Sequence, residues 1–326
     1  MPSLKEVKRR INSIRSTQKI TSAMQMVSSA KLHMAQTALG NMLPYEEQLY
    51  YIFASFFEQE MQLDAQGYPS NLKPLMQSPF VKDREVKQVA LVVMASDSGL
   101  CGAYNSNMAK MLQKTLADYQ DLPRENITLY PVGKKMVQAA EKTGCRMSRQ
   151  FEGLISNLHY ESCSTLSRRL GIEYLRGRVD KVELLFYHFK NMAVQEIERS
   201  VFLPFPLYEI TLDNPSYGRE LHGKQGVIIP SRQRMADSGQ RPISEYIIEP
   251  DRQQLMDLLL PKVMRFRVFR AVLDANASEH AARTMAMKVA TENAEDLISE
   301  LTVLYNKSRQ QAITNELLDI AGGSEN

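Results

Sequence analysis

The residues best placed to do chemistry are Ser96-Asp97-Ser98-Gly99-Leu100-Cys101-Gly102, between an apolar run and a stretch of helical spacing. A turn from strand to helix is where nucleotide-binding loops sit, because the first amides of the helix point at a phosphate. The glycine spacing here fits neither GxGxxG nor the P-loop, and no lysine follows to hold a β- or γ-phosphate. The segment therefore reads as a structural turn. Cys101 is a poor nucleophile candidate: the nearest histidine in sequence is His159, and nothing pairs the two, so a buried thiol is expected. His33, His159, His188, His222 and His280 form no HExxH motif and no close pair. Glu279-His280 reads as a helix-surface dipeptide, and Glu295-Asp296 as part of a solvated acidic face. Cys101, Cys145 and Cys163 make no CxxC and no metal spacing, and three cysteines suit a reducing compartment. The basic run Lys5, Lys8, Arg9, Arg10, Arg15 and Lys19 could touch nucleic acid, but no aromatics interleave with it and an apolar seam runs through it. No catalytic, cofactor-binding or metal-ligating constellation emerges.

The elements that would carry these residues are unusual. From about Asp251 to Gly322 there is one proline, Pro261, and no glycine before Gly322. Leu255, Leu258, Leu259, Val263, Phe266, Phe269, Val272 and Leu273 recur at steps of three and four. The pattern resumes at Ala294, Leu297, Ile298, Leu301, Leu304 and Tyr305. That is a helix with one apolar seam. Roughly 70 residues at 1.5 Å each make a rod of about 100 Å, which needs a partner along its length. The other end of the chain supplies one. Leu4, Val7, Ile11 and Ile14 start a second seam, continued after a shift of phase by Ile20, Met24, Val27, Met34 and Ala38. It resumes through Tyr50, Phe53, Ala54 and Phe57, with a kink or frayed turn expected at Gly40 and Pro44. Antiparallel pairing would set the basic start of the chain beside Glu292, Glu295, Asp296 and Glu300, with the charges fixing orientation and register. A near-heptad seam implies a gentle left-handed supercoil. The tip, from about Lys307 to Ala321, should project unpaired. Thr21, Ser22, Ala23, Ser28, Ser29 and Ala30 read as small, weakly polar flanks able to pass close to a wall.

Between the helices the texture changes. Val86 to Ala95 and Ile127 to Val132 read as strands, with helices at Asn105 to Tyr119, Lys134 to Lys142 and Ser162 to Arg176. Lys181 to Phe189 and Ala193 to Phe202 read as adjacent strands joined by a turn at Lys190–Met192. Such alternation predicts a Rossmann-like α/β domain with a mainly parallel sheet. Residues 62–83 read as a surface connection and 203–250 as irregular. The expected plan is an α/β fold. A helix over residues 1–60 and a helix over 251–326 form a long antiparallel two-helix coiled coil, with an α/β domain inserted over 61–250. The chain has 326 residues, 44% hydrophobic and 24% charged, with a net charge of +3, too small to imply a polyanion partner. No run of 18 apolar residues predicts a membrane span, and no signal peptide fits. There is no tryptophan, and 18 methionines offer adaptable contact surfaces.

Several stretches resemble one family. They are Ile11 to Leu32, above all Thr17-Gln18-Lys19-Ile20-Thr21 and Ala23-Met24; the SDSGLCGAYN turn; Ala277 to Arg283; Tyr305-Asn306-Lys307; and Ile313 to Leu317, running on to Asp319 and Gly322-Gly323. Over essentially the whole chain these are similar to the gamma subunit of F-type ATP synthase, the central rotor stalk. Ser98 stands where that family usually has a basic residue, and Ser324 where alanine is usual. The inserted segment with a regulatory cysteine pair is not apparent between Phe202 and Pro250, so thiol gating is not implied.

The resemblance implies a non-catalytic subunit inside a ring of three alpha and three beta subunits, which carry ATP, ADP and Mg, with no cofactor on this chain. It implies further partners in the epsilon subunit and the membrane c-ring, and none in nucleic acid. Rotation driven by proton flow would then couple to ATP synthesis. By motif position it implies ring contacts at Lys19, Met24, Arg283, Arg309, Gln310 and Thr314. A motif beginning so soon after Met1 fits a bacterial chain, peripheral on the cytoplasmic face of the inner membrane. Two other readings stand beside it. An α/β nucleotide enzyme with helical arms would bind ATP or NAD in isolation. A basic coiled-coil adaptor would bind DNA in a salt-sensitive way.

Overall fold

The computed structural model of the chain describes residues 3–58, 78–206, 249 and 252–323. Two helices dominate it: α1, Leu4–Glu58, and α5, Arg252–Gly323. At 1.5 Å per residue they are about 80 Å and about 110 Å long. They run antiparallel, as two contacts fix: Thr21 Oγ1 lies 2.8 Å from Thr291 Oγ1, and the Gln18 side-chain amide donates to Glu295 Oε1 at 3.0 Å. Seventeen residues back from Thr21 is Leu4, and seventeen forward from Thr291 is Ser308. Beyond about Ser308, α5 has no α1 beside it. The expected unpaired tip is therefore present, with Ile313, Leu317 and Leu318 exposed.

The seam of α1 is more regular than its apolar residues suggest. Val7, Ile11, Ile14, Gln18, Thr21, Gln25, Ser28, Leu32, Ala35, Leu39, Met42, Glu46 and Leu49 are all buried or half-buried. Their steps alternate four and three without a break, the 3.5-residue repeat of a two-helix seam. The facing stretch of α5 steps likewise through Met287, Thr291, Ala294, Ile298, Leu301, Tyr305 and Ser308.

Three expectations change. Ile20, Val27 and Met34 are not in the seam but 60%, 58% and 70% exposed, while Thr21 and Ser28 are in it rather than on the flanks. Leu258, Leu297 and Leu304 likewise face outward. No break occurs at Gly40 or Pro44: α1 continues through both. Pro44 sits exposed on the outer side while the seam passes it, so only one ladder hydrogen bond is at stake. Thirdly, among the described residues no ion pair joins the basic start of the chain to Glu292, Glu295, Asp296 or Glu300. Glu295 takes the Gln18 amide and Glu292 pairs with Lys288 one turn away. The side chains of Tyr50, Phe53, Ala54 and Phe57 lie outside the described residues, as do most of the expected 62–83 connection and residues 207–248.

The base is a five-stranded sheet in the order β3-β2-β1-β4-β5. Its strands are β1 Val89–Met94, β2 Ile127–Val132, β3 Arg146–Met147, β4 Lys181–Phe189 and β5 Gln195–Leu203. All neighbours are parallel except β4 and β5. The helices are α2 Tyr104–Asp118, α3 Lys134–Ala140 and α4 Tyr160–Leu175. β1 is buried at every position, as an apolar run in the middle of a parallel sheet must be. Its odd-numbered residues Val89, Leu91 and Val93 join Met108, Leu112 and Leu116 of α2. Its even-numbered residues Ala90, Val92 and Met94 join Leu166, Leu170 and Tyr174 of α4, together with Val263, Val268 and Val272 of α5. The long helix is thus also the back layer of the sheet domain. Rod and base share one core.

Candidate functional surface: the rod and the turn that clamps it

The turn after β1 contains two left-handed residues, Leu100 at φ 64° and Gly102 at φ 60°. The Asn105 carboxamide accepts from the Ser96 amide at 3.1 Å, and its Nδ2 donates to the Ser98 carbonyl at 3.3 Å. Asp97 accepts from the Lys134 amide at 3.0 Å, capping α3, and from Ser156 Oγ. The residue before that helix must be glycine. Gly133 has φ 94°, and a Cβ there would meet the Ala95 carbonyl oxygen at 2.1 Å. Cys101 is buried beside Ser96, Ser98 and Asn105.

What faces this turn is a cation. The Arg283 guanidinium of α5 donates to the Gly99 carbonyl and, at 2.9 Å, to Ser98 Oγ, and it pairs with Glu279 one turn below. Arg283 is 8% exposed and Glu279 7%. The surface reading of Glu279-His280 changes accordingly: Glu279 is buried, and with Arg283 it binds α5 to the sheet domain. Burial alone would raise the Glu279 carboxyl, but its close contacts with His280 and Arg283 outweigh it and hold the carboxyl below its ordinary range. His280 Nδ1 lies 2.7 Å from Glu279 Oε2, near enough to attract it though outside hydrogen-bond geometry. Carbonyls turned to a guanidinium repel a phosphate, so the turn is not built as a nucleotide loop. Ser98, which stands where the resemblance leads one to expect a basic residue, accepts a bond that a second cation could not.

The other five expected contacts lie along the rod. Lys19, Arg309, Gln310 and Thr314 are exposed, and Met24 is half-buried. Thr314 Oγ1 donates to the Gln310 carbonyl at 2.9 Å, leaving the Gln310 carboxamide outward. Lys19 and Met24 sit on the paired part, Arg309, Gln310 and Thr314 on the unpaired tip. The structure does not gather them into one site. Around them stand exposed apolar side chains that the apolar pattern did not mark as surface: Ile20, Met26, Val27 and Met34 on α1, and Val289, Leu297 and Val303 on α5. The signal that finds them is the unbroken heptad through Gln18, Thr21, Gln25 and Ser28. Exposed apolar groups in such number mark a surface that meets other proteins. Among the described residues no group of three or more His, Cys, Asp or Glu side chains is arranged to hold a metal, and no helix is long and apolar enough to cross a membrane.

The family model for ATP synthase matches residues 3–326. A chain named ATP synthase gamma chain from Bacteroides thetaiotaomicron is 45% identical over 99% of both sequences. The chain belongs to the ATP synthase gamma family. The gamma chain of Cytophaga hutchinsonii is 35% identical over 100% of this chain and 99% of its own length. Among solved structures, a chain of the Euglena gracilis mitochondrial ATP synthase in rotational state 3 covers 98% of this chain and 92% of itself, with a TM-score of 0.60 at 18% identity. A rotor chain of the same enzyme in rotational state 1 covers 95% and 98%, with a TM-score of 0.56 at 15% identity. At that identity the likeness is one of fold: two long helices on a small sheet domain. As a gamma chain this is a non-catalytic stalk subunit of a membrane-associated ATP synthase.

Proposed function

We propose that this gamma chain is the turning shaft of a proton-translocating ATP synthase. One copy stands in a ring of three alpha and three beta subunits that hold ATP, ADP and Mg. Its sheet domain rests with the epsilon subunit on the membrane c-ring, at the cytoplasmic face of a bacterial inner membrane. Proton flow turns the c-ring and this chain together. A shaft can drive beta subunits through different states only if its faces differ, because a ligand shifts an equilibrium by its differential affinity for the states. The observation that carries this reading is the asymmetry of the rod. The α1 side presents Lys5, Lys8, Arg9, Arg10, Arg15 and Lys19 with exposed Ile20, Met26 and Val27. The α5 side presents Glu292, Glu295, Asp296 and Glu300 with exposed Leu297 and Val303. Half a turn therefore exchanges one charge and one apolar surface for another before a given beta subunit.

The test is purification from native membranes through a tag on this chain. Three alpha and three beta subunits per copy, with ATPase activity, are expected; a free monomer after gentle extraction would refute the reading. In the same complex Met24→Lys places a long cation at the half-buried edge of the seam. It should lower the protons pumped per ATP more than it lowers assembly, and unchanged pumping efficiency would remove Met24 from the working surface.

A further inference from the structure

Where the rod enters the base, the packing is largely apolar. Glu46 of α1 is 1% exposed, inside a layer formed by Leu49, Val268, Ala271, Val272 and Phe186. Its Oε1 lies 3.5 Å from Arg270 Nη1 of α5, and its Oε2 has no hydrogen-bond partner. Arg270 Nε in turn lies 3.6 Å from Asp274 Oδ2, one helical turn on. The same Asp274 oxygen lies 3.1 Å from His188 Nδ1 of β4. Asp274 and His188 are 4% and 6% exposed. Along β4 the residues facing α5 are Val182, Leu184 and Phe186, so His188 continues an apolar row with a polar end. One turn below, Arg267 donates to Ser200 Oγ of β5 at 2.7 Å.

Three elements thus meet in a chain of charges: α1 through Glu46, α5 through Arg270 and Asp274, the sheet through His188. Helix α5 has other polar ties to the base. Tyr104 Oη donates to the Ala275 carbonyl, Ser278 Oγ to the Tyr187 carbonyl, and Arg283 holds the turn after β1. On helix α1 the buried polar residues among those described are Thr21, Ser28 and Glu46, and of these Glu46 lies at the level of the sheet. Apolar contact is non-directional and tolerates small sliding and rotation. Charges and hydrogen bonds in a low-dielectric layer do not, and buried polar groups are known to set register between helices.

We propose that Glu46, Arg270, Asp274 and His188 form a buried ionic joint that fixes the angle of the two-helix rod on its sheet domain, and that coupling rather than assembly depends on it. The proposal rests on the shaft reading above. Glu46 is a positioning residue: it touches no nucleotide and acts by keeping α1 from turning independently of α5 and the sheet. The charges facing the joint are Arg267, Arg270 and Asp274 from α5 and His188 and Glu198 from β4 and β5. Burial pushes the Glu46 carboxyl upward against the pull of Arg270, which is the electrostatic cost of placing it there.

The experiment uses the whole membrane-bound complex carrying Glu46→Gln or Asp274→Asn, substitutions that keep side-chain volume and remove a charge. ATP hydrolysis and ATP-driven proton uptake are measured in the same vesicles. Leu49→Ala, a truncation in the same layer that touches no charge, reports general loosening. Expected is near-normal assembly and hydrolysis with a clear loss of protons pumped per ATP, and a clearly smaller loss for Leu49→Ala. Unchanged pumping per ATP in both charge variants would overturn the proposal. So would an equal loss in Leu49→Ala, or a failure of the charge variants to assemble. A wild-type chain that hydrolyses without pumping, or joins no ring, refutes the shaft reading itself and is told apart by the unmutated control.

Discussion

Arg283→Ala puts the clamp between α5 and the turn after β1 to a direct test. The guanidinium is 8% exposed and satisfies the Gly99 carbonyl, Ser98 Oγ and Glu279 together. Removing one partner of a buried ion pair costs about 3–5 kcal/mol, because the other charge stays buried without it. Glu279 keeps His280 within 2.7 Å, so the lower end, about 3 kcal/mol, is expected here. The assay is urea unfolding of the purified chain followed by tyrosine fluorescence, since the chain has 14 tyrosines and no tryptophan. Hydrogen exchange of the amides in 96–105 locates the loss at the turn. Arg283→Ala combined with Glu279→Ala should cost less than Arg283→Ala alone, because no orphaned carboxylate remains. The pH dependence adds an independent check. The folded-state value of Glu279 lies below its ordinary 4.5, so its stabilisation is present above about 4.5 and is lost as pH falls through the lower folded value. Arg283→Ala should flatten that acid limb. A single-variant cost under about 1 kcal/mol, or a double-variant cost equal to the sum of the two singles, would refute the clamp.

Two further outcomes follow from the buried groups. Burial alone would lower the His188 imidazole, but the Asp274 hydrogen bond and charge, helped by Glu198, outweigh it and raise the group above its ordinary 6.5. Its contribution is therefore fully present below about 6.5 and lost as pH rises through the higher folded value; His188→Gln should abolish this difference in unfolding midpoint between about pH 6 and about pH 9, and an unaltered slope would count against the pair. Burial pushes the Cys163 thiol up to about 12, while Cys145 is half-buried, so iodoacetamide at neutral pH should label Cys145 well before Cys163 on mass analysis of tryptic peptides; faster labelling of Cys163 would contradict the packing of α4 on the sheet.

The sheet domain was legible because its central strands β1, β2 and β4 are almost wholly buried and read as largely apolar runs. Ile127–Val132 and Lys181–Phe189 have the bounds their residues predict, and the single antiparallel edge follows from the short connection at 190–194, two residues longer than the expected turn because β5 starts at Gln195. Arg283 was not legible as a clamp. It meets Ser98 across 185 residues of chain, and nothing local announces that a turn will fold beneath it. The ionic joint was missed for the same reason, although Glu46 on an unbroken heptad was a visible sign.

The seam of α1 is the instructive failure. Counting apolar residues selects Ile20, Met24, Val27 and Met34, and the structure turns three of these outward. The buried line instead runs through Gln18, Thr21, Gln25 and Ser28, which a hydrophobic pattern passes over. A free-standing coiled coil would have the reverse arrangement, since burial of apolar side chains is what holds two helices together. Here the pairing over residues 18–28 includes the polar contacts of Thr21 with Thr291 and Gln18 with Glu295, while Val7 and Ile11 supply apolar seam nearer the chain's start, and Ile20, Val27 and Met34 face outward. Local pattern and global fold disagree where a surface serves a partner. The same inversion makes sense of a shaft. A narrow, small-residue seam keeps the rod thin while its register stays fixed, and the large side chains of Ile20, Val27 and Met34 are where a surrounding ring can feel them.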